Sequence, residues 1–343
     1  MVKNLLKSGK IIYPKKLILK NKLNIGIVGS GTIANEYARV IKSFGHKLTV
    51  IISKSKNRNA KNIAKKYNAK IFSNISKIDK NLVVHAWIVC TSWNKLGYYL
   101  KFFFTSQSPI LIEKGIALNS KKIFKLFLKN KKKSKISVAY NRNYYDYIFY
   151  LLKILNNNKL KYCELNIYDS YEDIISKHRK SIRKFITYYI TSHWISLLLK
   201  ILQVSKYEII NTQKQKLNSV EKNHIEKIQL TLRKNKEKCI ANIINFPNGV
   251  RNHSLKLYFK NFMIELSPFE KMKIFKKIKK KKNKKMNIYI PQVRCLGVDN
   301  SFKPGFRLMY YDFIRKNFFN KDLNLSTNVS QLYNIYKVCE KFN

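Results

Sequence analysis

The sequence predicts a two-domain α/β protein. An N-terminal, doubly wound parallel sheet is followed by an α+β domain with an open, mainly antiparallel sheet. Apolar strand-like runs alternate with helical patterns over residues 23–140, and such alternation indicates βαβ units. From about residue 206 the runs shorten and alternate with period two, which is typical of antiparallel strands. The length of 343 residues fits two domains.

Six apolar runs in the first half have the length and composition of buried strands. They are Leu23–Val28, Leu48–Ile52, Lys70–Phe72, Val83–Cys90, Ile110–Glu113 and Ile136–Ala139. The segments between them repeat apolar residues at helical spacing. These helices are Ile33–Phe44, Asn59–Tyr67, Lys95–Thr105 and Ser120–Lys129. Right-handed crossovers place helices on both faces of such a sheet, so residues 23–140 are predicted as one domain and 1–22 as an N-terminal extension.

Residues 141–343 are predicted to form the second domain. It begins with helices over Tyr145–Leu155 and Trp194–Leu202. Its strands are predicted at Ile225–Leu232, Cys239–Phe246, Ser254–Phe259, Phe262–Leu266, Met272–Phe275 and Met286–Ile290. The lysine-rich stretch Lys276–Lys285 reads as a solvated hairpin loop. Two closing helices, Phe306–Phe319 and Ser330–Phe342, can return to the first domain.

Composition excludes several classes of protein. A chain with 45% hydrophobic and 13% aromatic residues can bury large cores, which excludes disorder throughout. No apolar run approaches the roughly 18–20 residues that a membrane-spanning helix needs. The five cysteines lie far apart without a C-x-x-C pair, which argues against a disulfide framework or zinc site and for a reducing cytoplasm. No histidine spacing indicates a metal. The basic segment 1–22 lacks the apolar core of a signal peptide, and a transit peptide is the alternative to a loose extension.

The charge balance is strongly basic, with 70 basic and 18 acidic residues and a formal net charge of +52. Nucleic-acid binding is one interpretation. However, 60 of the basic residues are Lys and only ten are Arg, whose bidentate fork suits phosphate and base recognition better. Lys, Asn, Ile, Phe and Tyr are abundant together, as A/T-rich codons would produce. We therefore predict no nucleic-acid partner, and nucleic-acid binding remains a remote alternative.

A glycine-rich loop follows the first strand and opens the first helix. It reads Gly29-Ser30-Gly31-Thr32-Ile33-Ala34, which is G-x-G-x-x-A. In this context Gly29 permits the tight turn, Gly31 lets the backbone approach a pyrophosphate, and Ala34 lets helix and strand pack closely. The N–H groups of the helix start, including Thr32 and Ile33, can bind phosphate. The loop predicts a Rossmann dinucleotide-binding domain.

The second strand ends without the acid that usually holds the adenosine ribose. Its end reads Ile52-Ser53-Lys54-Ser55-Lys56. Ser53 and Lys54 could bind a 2′-phosphate instead, which favours NADP, whereas an ordinary polar loop in a lysine-rich chain is the plain alternative. The predicted cofactor is therefore NADP or NAD.

Five segments of the chain match motifs of one protein family. They are Gly29–Ala34, Ile88–Ser92, Ile112–Gly115, Tyr140–Arg142 and Ser192–Ser196. Together they resemble the glucose-fructose oxidoreductase, inositol dehydrogenase and MocA (Gfo/Idh/MocA) group over about residues 22–340. The third segment is similar to the family's Glu-Lys-Pro, the fourth to its Tyr-Asn-Arg-Arg, and the fifth to its Ser-His-x-x-Asp.

The resemblance implies a set of site residues. Lys114 would be the catalytic lysine that bonds the substrate hydroxyl, and His193 the acid/base. An imidazole suits removal of a hydroxyl proton near neutral pH, and an ammonium group can stabilise a developing alkoxide. Cofactor-binding residues would be Gly29, Gly31, Thr32, Ile33, Ala34, Ser53, Lys54, Cys90, Thr91, Ser92 and Glu113. Substrate-binding residues would be Lys114, Asn141, Arg142, Tyr189 and His193.

Three positions depart from the family pattern. The family's Pro is Gly115, its Asp four residues before the histidine is Tyr189, and its Asp three residues after it is Ser196. An acid near the imidazole can orient it. Asp169, Glu172 and Asp173 are acids of the preceding segment, and Tyr188 offers a hydroxyl, but the sequence does not place them.

The resulting prediction is an NAD(P)-dependent dehydrogenase or reductase that transfers hydride between nicotinamide and a sugar, nucleotide-sugar or polyol. The Ser-Trp-Asn after Thr91 and the segment Pro304–Phe306 look most like members that act in surface-polysaccharide synthesis. The resemblance also implies a homo-oligomer, a dimer or tetramer, without nucleic-acid or membrane partners. The alternative is a non-catalytic, nucleotide-binding or regulatory member of the same fold.

Overall fold

The computed structural model divides into two compact units. It describes residues 22–54, 57–79, 81–104, 108–129, 135–145, 147–178, 180–202, 206–216, 224–234, 237–245, 253–269, 271–276, 290–294 and 301–342. The first unit comprises the described parts of Ile12–Tyr144 and Asp299–Lys337. The second comprises those of Tyr145–Val298 and Val338–Asn343. The predicted N-terminal extension and most of the lysine-rich loop lie outside the described residues.

The first unit is built on a six-stranded parallel sheet. Its strands are β1 (Asn24–Val28), β2 (Lys47–Ile52), β3 (Lys70–Phe72), β4 (Ala86–Val89), β5 (Ile110–Glu113) and β6 (Ile136–Ala139). Its helices begin with α1 (Thr32–Ser43), α2 (Arg58–Tyr67), α3 (Trp93–Phe103) and α4 (Ser120–Lys129). The strand order is β3-β2-β1-β4-β5-β6, and every described pair is parallel. The predicted doubly wound sheet is confirmed, and its order reverses between β1 and β4, where such sheets bind ligands.

One predicted strand of this sheet is too long. The apolar run suggested a strand from Val83 to Cys90, whereas β4 begins at Ala86. Val83 is 58% exposed, so its β-branched side chain contributes nothing to the sheet core. The preceding His85 exchanges two hydrogen bonds with the backbone of Asn24 and lies half-buried beside the start of β1. Apolar composition alone therefore does not mark where this strand begins.

The second unit contains helices packed with an eight-stranded mixed sheet. The helices are α5 (Ile148–Asn157), α6 (Tyr171–His178), α7 (Ile186–Tyr189) and α8 (Ser192–Ile201). The strands are β7 (Tyr162–Ile167), β8 (Lys206–Lys216), β9 (His224–Lys234), β10 (Glu237–Asn245), β11 (Ser254–Tyr258), β12 (Phe262–Leu266), β13 (Met272–Lys276) and β14 (Ile290–Arg294). The order is β14-β13-β12-β11-β7-β10-β9-β8, and β7 pairs with β10 in parallel while the other described pairs are antiparallel.

Strand β7 was missed by the sequence analysis, although it lies in the middle of this sheet. Its side chains alternate between the buried Cys163, Leu165 and Ile167 and their half-buried neighbours. The alternation covers only six residues, and it stands between helical patterns, so periodicity alone did not separate it from them. The predicted strand Met286–Ile290 lies outside the described residues except for its last residue, where β14 begins.

Two late helices, α9 (Phe306–Phe319) and α10 (Val329–Cys339), follow the second sheet along the chain. All of α9 and α10 up to Lys337 belong to the first unit. There the backbone of Thr327 pairs with that of Val138 at β6. Short 3₁₀ turns complete the described structure at Ile75–Lys77, Asn141–Tyr144, Lys180–Phe185 and Glu340–Phe342. Across the described residues, no helix combines the length and apolarity needed to cross a membrane.

A buried carboxyl group holds α9 in the first unit. Asp312 is 0% exposed and accepts hydrogen bonds from the Tyr144 hydroxyl (3.0 Å) and the Leu323 N–H (2.8 Å). Burial raises the pKa of Asp312 from 3.8 to about 6, against the opposing effect of these bonds. The folded state therefore binds the Asp312 proton more tightly than the unfolded chain does. The stability that this proton contributes to the folded state is lost as the pH rises from about 4 to about 6.

Asp312→Asn is therefore expected to remove part of the pH dependence of stability. The amide keeps an acceptor for Leu323 and carries no charge, so the variant should gain stability relative to the wild type above pH 6, by about 3 kcal/mol. Urea unfolding of both proteins between pH 4 and pH 8 measures this difference. Parallel stability curves over that range would contradict the assignment.

Candidate functional site

Residues at the ends of four neighbouring strands form a row at one edge of the first sheet. Val28 pairs with Ile52 on one side and with Val89 on the other, and Val89 pairs with Ile112. The next residues along these strands are Gly29, Ser53, Cys90 and Glu113. All four are predicted site residues, and the parallel register brings them together at the carboxyl edge, where this fold class binds ligands.

Gly29 makes the turn out of β1. Its φ of +122° is a conformation that side chains rarely adopt, and its N–H bonds the Ile52 carbonyl at 3.0 Å. A Cβ placed here would lie 2.6 Å from the carbonyl oxygen of Cys90. The glycine therefore permits both the turn and the close approach of the loops after β1 and β4.

The start of α1 has the features of a phosphate-binding helix end. Gly31 is the N-cap residue with φ −78°, no side chain caps the helix, and its first turn carries no acid. A Cβ at Gly31 would meet no protein atom within 4 Å, while Ala34 is buried against the strand. Gly31 and Thr32 are exposed and Ile33 is half-buried. The residues thus fit a pyrophosphate, because open space and uncapped N–H groups lie above the loop.

The end of β2 is tied to the glycine loop. The hydroxyl groups of Ser53 and Ser30 are 2.9 Å apart and share a hydrogen bond. Lys54, the next residue, is exposed. Ser53 is half-buried and retains further hydrogen-bonding capacity, because a hydroxyl both donates and accepts.

The segment after β4 offers backbone groups and a hydroxyl. Burial raises the pKa of the Cys90 thiol well above its ordinary value, and the charge of Glu113 adds to this effect. Cys90 is thus held as a neutral thiol, and its contribution at this edge is its backbone. Thr91 is half-buried, and the exposed Ser92 is the N-cap residue of α3 without a capping side-chain bond.

The end of β5 carries a partly buried acid–tyrosine contact that the sequence analysis missed. The Tyr37 hydroxyl on α1 donates to Oε1 of Glu113 at 2.7 Å. Burial raises the pKa of Glu113, while the Tyr37 bond and the charges of Lys114 and Lys303 lower it. Lys114 follows Glu113 directly and is half-buried. The only sequence signal for this contact was that Tyr37, a residue with a polar hydroxyl, lies on the buried face of α1, where an apolar side chain would pack equally well.

Asn141 and Arg142 lie just beyond β6, in the same unit. The Asn141 side chain donates to the Pro304 carbonyl at 2.9 Å. Gly305 has φ +79°, and a Cβ there would lie 2.1 Å from the Asn141 carbonyl oxygen. Asn141 thus holds the segment before α9, while Arg142 is half-buried. The Asn141 amide, which was predicted to bind substrate, instead bonds the backbone of Pro304.

His193 lies in the second unit, in the first turn of α8. The residue is 8% exposed, and its N–H bonds the Ile190 carbonyl at 3.1 Å. Tyr189, where the family pattern has an acid, places its hydroxyl 3.3 Å from Nε2 of His178. Tyr188 donates to Glu340 at 2.7 Å, and Ser196 is buried.

Of the three acids that the sequence could not place, one lies beside this helix turn. Asp169 is 3% exposed and accepts hydrogen bonds from Thr191 and Trp194, which flank His193. Glu172 and Asp173 are exposed in the first turn of α6. Within the described residues, no group of three or more His, Cys, Asp and Glu side chains could hold a metal ion.

A comparison with protein families decides the classification of the first unit. Residues 23–141 match the model of GFO_IDH_MocA, described as an oxidoreductase family with an NAD-binding Rossmann fold. Residues 23–141 therefore carry the NAD-binding Rossmann domain of this oxidoreductase family. The match confirms the predicted fold of the first unit and the predicted nicotinamide dinucleotide as the cofactor class. No curated protein sequence matches the chain.

Solved structures share the fold of this protein over nearly the whole length of the chain. Levoglucosan dehydrogenase in complex with NADH has 12% identity and a TM-score of 0.70, with 94% of this chain and 96% of that chain covered. An oxidoreductase of Thermotoga maritima has 14% identity and a TM-score of 0.69, with 94% and 95% covered. The UDP-N-acetylglucosamine 3-dehydrogenase of Acidithiobacillus ferrooxidans has 10% identity and a TM-score of 0.66, with 93% and 96% covered. At these identities the likeness establishes the common fold.

Proposed function

We propose that this protein is an NAD(P)-dependent dehydrogenase or reductase acting on the CH–OH group of a sugar, nucleotide-sugar or polyol. The observation that carries the proposal is the row at the sheet edge. There the glycine loop after β1 and the Glu113-Lys114 pair after β5 flank the Cys90–Ser92 segment on adjacent strands. This arrangement would bring a cofactor site and a candidate proton-transfer group to one edge of one sheet.

The glycine loop and its neighbours would hold the cofactor. The N–H groups at the start of α1 would bind the pyrophosphate, with Ser53 and Lys54 near the adenosine ribose and Thr91 near the nicotinamide end. Ser92, Cys90 and Glu113 would line the same edge. When bound, a nicotinamide dinucleotide supplies the donor or acceptor of a hydride. Protein side chains would carry out every proton transfer in the reaction.

Lys114 and His193 would share that task. The Lys114 ammonium would bond the hydroxyl or carbonyl oxygen of the substrate and stabilise negative charge that develops on it. His193 would remove the hydroxyl proton during oxidation and return it during reduction. Arg142, Tyr189 and Asn141 would contact or border the substrate. Asn141 is the least suited of these, because its amide already bonds the Pro304 carbonyl.

The relatives support a carbohydrate substrate. Two of the solved structures of this fold are named as dehydrogenases of a sugar or a nucleotide-sugar. A role in surface-polysaccharide synthesis is the narrower form of the proposal. It rests on the resemblance of the segments after Thr91 and around Pro304. The proposed protein is a homo-oligomer located in the cytoplasm. Cys90, Cys163 and Cys339 are buried thiols outside any disulfide, which is what a reducing compartment favours.

The end of β2 predicts the choice between the two cofactors. Because no acid follows Ile52, NADPH should bind at least as tightly as NADH. Ser53→Asp should reverse the order by at least tenfold, since a carboxylate repels a 2′-phosphate and accepts from a ribose diol. Ser53→Ala is the control, because it removes the bond to Ser30 without adding charge. Titration calorimetry with both cofactors measures the affinities. A wild-type preference for NADH above tenfold, or about 1.4 kcal/mol, would refute the NADP assignment.

A non-catalytic cofactor-binding protein is the second candidate, and one observation favours it. Gly115 has φ +79°, whereas proline is restricted to a φ of about −65°. The turn after Lys114 therefore differs from any turn that the family's Glu-Lys-Pro can form. Turnover decides between the two candidates. The purified protein is mixed with NAD⁺ or NADP⁺ and a panel of sugars, polyols and nucleotide-sugars, and the absorbance of the reduced nicotinamide is followed. Binding without turnover on any of them would favour the second candidate.

A further inference from the structure

The start of α8 is held by a buried carboxylate from another part of the second unit. Asp169 follows the end of β7, more than twenty positions before α8. Its Oδ2 accepts from the Thr191 hydroxyl at 3.0 Å, and its Oδ1 accepts from the Trp194 indole N–H at 3.3 Å. Thr191 and Trp194 stand on either side of the dipeptide Ser192-His193. The two bonds therefore fix both flanks of the proposed acid/base.

The Thr191 hydroxyl bonds Asp169 and does not cap the start of α8. Thr191 is the N-cap residue of α8, where a threonine hydroxyl ordinarily accepts from an N–H of the first turn. No such capping bond forms at Thr191, whose backbone is helical rather than extended. Its hydroxyl instead donates to Asp169 and pairs with the Tyr171 hydroxyl at 3.1 Å. The next residue, Ser192, lies inside the helix, and its hydroxyl donates to the Tyr188 carbonyl.

The indole that reaches Asp169 also contacts two further aromatic rings. The Trp194 ring packs against His253 with centroids 4.2 Å apart and against Phe269 at 4.5 Å. His253 in turn accepts from the N–H of Tyr168, the residue before Asp169, at 3.0 Å. The segment after β7 is therefore joined to the first turn of α8 in two ways, directly by the Asp169 side chain and through His253, which bonds Tyr168 and contacts the Trp194 ring.

We infer that Asp169 is a positioning residue for His193 and takes the place of the acids that the family pattern has at Tyr189 and Ser196. The inference rests on the proposed role of His193. Asp169 acts through hydrogen bonds to the neighbours of the histidine, and so it holds the helix turn that presents the imidazole. A carboxylate buried to 97% is costly unless its bonds are kept, so this network is sensitive to the loss of either donor.

Two matched pairs of variants test the inference in the full-length protein. Asp169→Ala removes both acceptors, whereas Asp169→Asn keeps the acceptor for Trp194 and lets the amide donate to Thr191. Thr191→Val removes one donor, whereas Thr191→Ser keeps it. Asp173→Ala is the control, because that acid is exposed on α6. The Thr191 pair keeps the test valid even where Asp169→Ala fails to fold.

Nuclear magnetic resonance gives a readout that needs no substrate. The indole N–H signal of Trp194 is assigned by its loss in Trp194→Phe, and the ring signal of His193 by its loss in His193→Gln. Asp169→Ala is expected to speed solvent exchange of the indole proton by at least tenfold and to shift the His193 ring signal. Asp169→Asn should leave both close to wild type. A folded Asp169→Ala protein with wild-type exchange and an unshifted histidine signal would overturn the inference.

Turnover with NAD⁺ or NADP⁺ and the best substrate of the sugar panel gives the functional readout. We expect kcat to fall about tenfold or more in Asp169→Ala and Thr191→Val, as misplaced catalytic groups do. It should recover to within about threefold in Asp169→Asn and Thr191→Ser, with cofactor affinity unchanged throughout. Equal losses in both members of a pair would overturn the inference. Normal turnover in His193→Ala would overturn it together with the proposed role of His193. A loss in His193→Ala with none in Asp169→Ala would overturn this inference alone.

Discussion

Replacing Lys114 by Ala is expected to lower turnover by about 10²-fold or more, the usual scale for a proton-transfer group. Its neighbour Glu113 is held by Tyr37 and lies in the row of residues at the sheet edge, so the strand end should survive the change. His193→Ala should cause a loss of similar size if the imidazole is the acid/base. The affinity for NADPH should change little in either variant, because the pyrophosphate contacts lie at the glycine loop. Steady-state turnover and calorimetric titration measure the two effects separately.

The controls for these variants come from the same chain. Lys122 is an exposed lysine in the first turn of α4, and Lys122→Ala should turn over normally. Lys114→Arg keeps the charge but not the shape of the ammonium group, and so it should recover only part of the activity. If Lys114→Ala turned over like the wild type, the proposed role of the Glu113-Lys114 pair would be wrong. Near-normal turnover in His193→Ala alone would assign the proton step to Lys114 or a tyrosine.

Gly31→Val is expected to weaken dinucleotide binding by at least about 100-fold while the protein stays folded. The backbone of Gly31 has an ordinary φ of −78°, and a Cβ there would meet no protein atom within 4 Å. The added side chain would therefore occupy the space where the pyrophosphate should approach. Gly31→Ala should give an intermediate loss, because its side chain is smaller. Calorimetry with NADPH and NADH measures affinity, and thermal unfolding without cofactor measures the fold.

The test of cofactor binding is made at Gly31 because the same substitution at Gly29 would disturb the fold. A side chain at Gly29 would be strained by its φ of +122° and would collide with the Cys90 carbonyl, so a loss of binding there would only report damage to the fold. Unchanged affinity in a folded Gly31→Val protein would mean that the loop is not the cofactor site.

The first sheet could be predicted from the sequence because its signals are local. Each strand of a parallel sheet is an apolar run, and each crossover helix repeats apolar residues at a period that a short window contains. The position of α9 also agrees, since the prediction Phe306–Phe319 coincides with the observed helix. Strand ends were less certain. Val83 has a strand-forming side chain, but it lies before the first residue that pairs with a neighbour.

The middle of the second sheet could not be predicted in the same way. Strand β7 pairs with residues of β10 and β11 that lie 78 to 96 positions later in the chain, so its register depends on partners that no local window contains. The sequence analysis allowed the two closing helices to return to the first domain, but it could not identify the contacts that place residues 301–337 there. These contacts, such as Asp312 with Tyr144 and Thr327 with Val138, join residues far apart in the chain.

The residues of the candidate site also divide into those with a local sequence signal and those that depend on distant contacts. The glycine loop, Ser53 and the Glu113-Lys114 pair follow strand ends, and strand order alone brings them to one edge. Tyr37 and Asp169 have no motif, because each acts through a side chain that meets a distant partner. The family pattern even pointed to the wrong positions for the acid near His193, which are occupied by Tyr189 and Ser196. A buried acid elsewhere in the second unit supplies the hydrogen bonds instead.

The measurement that tests the proposed function most directly is hydride transfer by the purified, full-length protein. A panel of sugars, polyols and nucleotide-sugars is incubated with NAD⁺ or NADP⁺, and reduced nicotinamide is followed by absorbance for the wild type and for Lys114→Ala. The predicted result is reduction of the cofactor with at least one carbohydrate by the wild type, and a loss of about 10²-fold or more in the variant. A wild-type protein that binds the cofactor tightly and reduces it with none of them would contradict the proposed function.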